Sequence, residues 1–164
     1  MKRFISALTI ILAALLCLCG CGEQEQIVSN FERPIIDLCS SFEHSDSAAY
    51  LSCFTPAAKK AYQSTSSSSE SGSIIETVAK NSGLDDNRKL SCEVIGKREL
   101  AGADREKLKK QYRSSYAKNV TIEKAFQIDA AIVSAKGTDM RKFTVVLIDS
   151  SWYIFGDVIE KFNF

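Results

Sequence analysis

Any chemistry in this chain must come from few side chains. Its one histidine is His44, and of its six cysteines only Cys39, Cys53 and Cys92 lie beyond the first 22 residues, widely spaced and in no Cys-x-x-Cys arrangement. Zinc needs three or four His, Cys or carboxylate ligands converging on one point. No such set is offered, and no metal or other cofactor is expected. Serines abound, but none sits in Gly-x-Ser-x-Gly, and His44 lacks the partners of a nucleophilic triad. Acid–base work would need an inward-facing carboxylate. Asp129 and Glu123 fall on the polar parity of their stretch, which turns them to water. Lys124 shares the apolar parity. Its stem can run along a sheet margin with the ammonium at the surface, or its tip can contact a ligand.

The segment that positions the rest is the amino terminus. Lys2-Arg3 precede an uncharged run from Phe4 to Leu18, and Leu18-Cys19-Gly20-Cys21 closes it. A basic start, an apolar middle and a small residue before a cut describe an export signal. The Leu-x-Gly-Cys ending resembles the lipobox of bacterial lipoprotein signal peptides. That resemblance implies cleavage before Cys21 and a diacylglyceryl group on its sulfur. Residues 1–20 are then a signal peptide, 21–29 a lipidated tether and 30–164 a single domain. One acyl chain binds a membrane marginally and two bind it stably, at about 0.8 kcal/mol per buried CH₂. The expected address is the extracytoplasmic face of the cell membrane, with the membrane as first partner through Cys21. An uncleaved anchor or plain secretion are the alternatives. Phe4 to Gly22 approaches the ~20 residues of a span, but no basic residue follows it until Arg33.

Charge is balanced, with 21 Lys and Arg against 20 Asp and Glu. No overall field draws nucleic acid, which is not an expected partner. With Cys21 acylated and Cys17 and Cys19 removed, the three remaining thiols are an odd number, which excludes a full disulfide framework.

The domain opens with helical spacing. Phe31, Ile35, Leu38, Cys39 and Phe42 recur on one face, which predicts a helix over 30–43 with Asn30 as N-cap and Pro34 in the first turn. His44 then stands at the helix end, where a cation is favoured. Asp46 or Ser47 can cap a second short helix through Phe54, and Thr55-Pro56 starts a third to Gln63. Cys39 and Cys53 would point inward from neighbouring helices. They either pack as small hydrophobes or, after export, form a disulfide. The run 64–73 is almost entirely Ser and Thr and reads as a loop. A short helix over 74–81 stops at Gly83.

The second half changes period. Leu90, Cys92 and Val94 alternate with polar residues, predicting a strand. A helix over 104–118 follows, rich in Lys and Arg; its basic face is either solvated or set against anionic headgroups. Val120, Ile122, Phe126, Ile128, Ala130 and Ile132 share one parity, predicting a long strand with one wet face. Lys136 to Asp139 is read as a turn, Met140 to Asp149 as the next strand, and Asp149-Ser150-Ser151 as a tight return into Trp152–Phe155.

The resulting fold class is α+β, with amino-terminal helices packed on a curved antiparallel sheet of about four strands. The element order and the closing Val146–Ile154 run resemble the NTF2-like roll of uncharacterised Gram-positive lipoproteins; a cystatin-like sheet is the alternative. The resemblance implies a cone whose open end is a binding mouth, with Trp152, Phe126 and Lys124 as candidate lining. The expected function is non-enzymatic, a lipid-anchored domain that binds a small molecule, peptide or envelope protein. An enzyme on the same fold, and a scaffold that recruits a partner through a sheet edge, are the alternatives.

Overall fold

The computed structural model describes residues 30–65, 73–84, 88–158 and 162–164. The segments read as a signal peptide (1–20) and a lipidated tether (21–29), Cys21 included, lie outside them, as does most of the Ser-rich run 64–73.

Among the described residues four helices come first: α1 (Arg33–Glu43), α2 (Ser47–Ser52), α3 (Pro56–Thr65) and α4 (Ile74–Asn81). Asn30 does not cap α1. Glu32 occupies the N-cap without a side-chain hydrogen bond, and Pro34 falls in the first turn, where no N–H is missed. Asp46 caps α2, its carboxylate accepting from the N–H groups of Ala48 and Ala49 at 3.0 Å each. The Thr55 hydroxyl accepts from Ala58 N–H at 3.4 Å at the start of α3. The Ser73 hydroxyl likewise accepts from Glu76 N–H at 3.4 Å for α4. Past α4, Gly83 takes a φ of +66°, a left-handed value that glycine adopts without a Cβ penalty. There the Leu84 N–H bonds the Ala79 carbonyl at 2.9 Å, closing the helix.

The sheet is a four-stranded antiparallel meander in the order β1 (Ser91–Glu99), β2 (Lys124–Ser134), β3 (Gly137–Ile148), β4 (Ser151–Ile154). A fifth helix, α5 (Gly102–Tyr116), is inserted in the connection from β1 to β2. The inner face holds Ile128, Ala130, Ile132, Phe143, Val145 and Ile154 against the apolar stripes of α1, α2 and α4. Ile35, Leu38, Phe42, Tyr50, Ile75 and Val78 from those helices are fully buried. Each such aliphatic or aromatic side chain contributes about 1.5–3 kcal/mol by leaving water.

Two expectations are corrected by the register. Val120 and Ile122 are not part of β2, which begins at Lys124. They pack with Leu100, Ala125, Val146, Ile148 and Leu108 in a second cluster on the opposite face, under α5. That face is therefore covered at one end, where Ala125 and Val146 are fully buried. At the other end it is bare, with Ile95, Val133 and Met140 exposed. The β2–β3 turn is also shorter than expected. Ser134 pairs with Gly137, leaving Ala135 and Lys136 to reverse the chain. The Ser134 hydroxyl supports this by accepting from Lys136 N–H at 3.1 Å.

Asp149 and Ser150 both take positive φ, 49° and 62°. Two left-handed residues in a two-residue hairpin match the twist of the strands they join. After β4 the chain leaves the sheet and crosses the helices. Phe162 is buried against Phe42, ring centroids 5.7 Å apart, and its N–H bonds the Ser82 hydroxyl at 2.9 Å.

Candidate functional site

The side chains between sheet and helices form one buried cluster, and a cleft beside Trp152 lies at the rim of the inner face. Lys124, Leu147 and Trp152 form one row across β2, β3 and β4 there. The cleft has a volume of about 320 Å³ and is bounded by three segments distant in sequence. The entry to α1 supplies Asn30, Arg33, Pro34 and Asp37; the end of α2 supplies Ser52 and Cys53; the β3–β4 hairpin supplies Ser150, Ser151 and Trp152. This is the small end of the range for ligand pockets.

An aromatic cluster fixes Trp152. Its ring meets Phe31 at 5.9 Å, edge to face, and Phe126 at 5.7 Å, while Phe31 and Phe126 stack at 4.4 Å. The Lys97 ammonium caps the cluster 5.0 Å above the Phe31 ring. Of the three residues the sequence offered as lining, Trp152 borders the cleft. Phe126 supports it from behind, and Lys124 is exposed at the far end of the row, two strand spacings or about 10 Å away.

The polar wall carries both signs of charge. Arg33 Nε lies 2.9 Å from Asp37 Oδ1, one helical turn along α1, with side chains 66% and 43% exposed. A pair so exposed is held by about 0–1 kcal/mol, so either group is free to turn to a ligand. Asn30 adds an amide, and Ser52, Ser150 and Ser151 add hydroxyls. The indole supplies a flat apolar face. Cys53 is buried at the floor, its S–H donating to the Ala49 carbonyl. Burial, and then the charge of Asp37, push its pKa up to about 12 against a hydrogen bond with Ser52. At neutral pH it is a thiol and not a nucleophile.

The other candidates sit apart. His44 is exposed at the C-cap of α1, with Nδ1 3.0 Å from the Ser40 carbonyl. Asp129 faces outward beside the β1 bulge, 3.5 Å from the Lys142 ammonium. On α5, Arg105 donates to the Glu123 carbonyl at 2.8 Å, Lys109 pairs with Glu106 at 2.7 Å, and Lys107 with Asp104 at 3.6 Å. Cys39, Cys53 and Cys92 all stand as free thiols. Cys39 and Cys53, for which the sequence left packing or a disulfide open, are both buried in the core. Among the described residues no group of three or more His, Cys, Asp or Glu is placed to hold a metal ion. No helix among them is long and apolar enough to cross a membrane.

The sequence reading missed Arg33 and Asp37 as cleft residues. Their spacing of four on an exposed helix face was visible, but it signals only an ion pair. The hairpin serines carried no signal beyond a turn. No family model matches the chain, and neither a curated protein nor a solved structure matches it.

Proposed function

We propose that this chain is a lipid-anchored extracytoplasmic binding domain that takes a small polar ligand in the Trp152 cleft. The observation that carries the reading is the meeting of a cation, an anion, an amide, three hydroxyls and a fixed indole around one small opening. That set matches a molecule bearing both donors and acceptors, with a zwitterion satisfying Arg33 and Asp37 together. The anchoring half of the reading rests on the lipobox-like ending at Cys21. A tether of a few residues would hold the cleft, which begins at Asn30, close to the membrane surface.

Recruitment of a protein through a free sheet edge is less well supported. β1 is a nine-residue edge strand, yet it carries a bulge between Val94 and Gly96 and the charged run Lys97-Arg98-Glu99. Both features discourage strand addition.

Trp152 is the single tryptophan, so its fluorescence reports on the cleft alone. Titration with alanyl-alanine dipeptides and with N-acetylhexosamine disaccharides is expected to give a saturable change with at least one class. Arg33→Ala together with Asp37→Ala should abolish it. A flat response to both classes at millimolar concentration would overturn the small-ligand reading.

A further inference from the structure

We propose that the groove between α3, the last turn of α5 and the segment after β4 is a second binding site, which takes a zwitterionic phosphoester of an amino alcohol. Two hollows make the groove, and they meet at Ser115 and Tyr116. It shares no lining residue with the Trp152 cleft, so the two sites stand or fall separately.

The first hollow, about 370 Å³, has Asp157 as its one charged lining residue among the described residues. Its flat faces are the rings of Tyr116 and Phe155, both half-buried. Tyr112, buried one helical turn before Tyr116, braces both. Its ring lies 5.0 Å from that of Tyr116 and 6.2 Å from that of Phe155. Fixed aromatic faces beside a carboxylate suit an organic ammonium, which the ring quadrupoles attract. The end of α5 adds to this. Ala117 takes a φ of 51° and stops the helix, with its N–H spent on the Arg113 carbonyl at 2.9 Å. The carbonyls after Arg113 have no helical partner, so the negative end of α5 lies at the same hollow. Burial, and then the charge of Asp157, raise the pKa of Tyr116, which keeps its ring uncharged.

The second hollow, about 440 Å³, carries the opposite sign. Lys60 from α3 and Lys118 just past α5 line it, with the hydroxyls of Ser114 and Ser115, and no carboxylate of the described residues does. Both lysines are exposed, and neither makes an ion pair among the described residues. Two ammoniums and two hydroxyls are donors for a phosphoryl group. A negative hollow and a positive one, joined through a single tyrosine, match a molecule with an ammonium and a phosphoryl group a few bonds apart.

The test titrates the full chain, in maltoside micelles, with phosphocholine, choline and inorganic phosphate, and follows backbone amide NMR shifts. Phosphocholine is expected to shift Tyr116, Ala117 and Gly156 saturably, binding on the order of tenfold more tightly than choline. Lys60→Gln together with Lys118→Gln should bring phosphocholine down to the affinity of choline, while Asp157→Asn should weaken both. All three residues are exposed, so these variants keep the fold. Doping the micelles with phosphatidylcholine, against phosphatidylglycerol as control, tells a lipid headgroup from the free ester, and shifts from either source support the site. Unmoved amides at Tyr116, Ala117 and Gly156 with every probe at millimolar concentration, shifts confined to the Trp152 indole, or a phosphocholine affinity untouched by the lysine variants would overturn the proposal.

Discussion

The Tyr50 hydroxyl donates to the Val158 carbonyl across 2.8 Å, joining α2 to a residue 108 positions later. Both groups are buried, and this bond fixes where the chain goes after it leaves the sheet. Tyr50→Phe keeps the ring and leaves the carbonyl unsatisfied. The expected loss is about 1–2 kcal/mol, read from urea unfolding, with faster hydrogen exchange in the carboxy-terminal segment. Unchanged stability and exchange would mean that the tail is held by Phe162 alone.

Phe31 lies in the turn that leads into α1 but stabilises the cleft. Phe31→Ala removes the stack on Phe126 and the edge contact with Trp152. The expected cost is about 2 kcal/mol, below that of a fully buried phenylalanine because Phe31 is half-buried. Trp152 emission should shift to longer wavelength as the indole gains water. An unshifted spectrum would show that Phe126 holds the ring unaided.

Glu76 and Arg88 form a bidentate pair, 2.6 and 2.7 Å, between α4 and the approach to β1. Hydrogen bonding by Arg88 holds the Glu76 carboxyl below its ordinary pKa against desolvation, with the charge of Arg88 adding to it. A carboxylate with a depressed folded pKa stabilises the fold fully above its unfolded pKa of about 4.3. That contribution is lost as pH falls through the depressed value. Glu76→Gln should therefore narrow the gap between urea midpoints at pH 7 and pH 3. An unchanged gap would assign the acid sensitivity to other groups.

Much of the fold was legible because the elements carry their own local signals. Asp46, Thr55-Pro56 and Gly83 mark helix ends by side-chain and backbone chemistry that acts within a few residues. The parity of Phe126 to Ile132 sets the inner face for the same reason. Parity misled at Val120 and Ile122, since alternation continues through residues that no ladder holds, and only α5 on the far face decides which side they bury. The cleft was largely illegible. Its walls come from α1, α2 and the β3–β4 hairpin, and no spacing within any one segment encodes their meeting.

The central claim is that this domain works from a membrane surface through Cys21. Its most direct test is mass spectrometry of the protein extracted from membranes of a bacterial host. The account predicts an amino-terminal peptide beginning at Cys21, heavier by a diacylglyceryl group. A product that retains Met1 to Gly20, or one that begins at Cys21 with an unmodified sulfur, would contradict it.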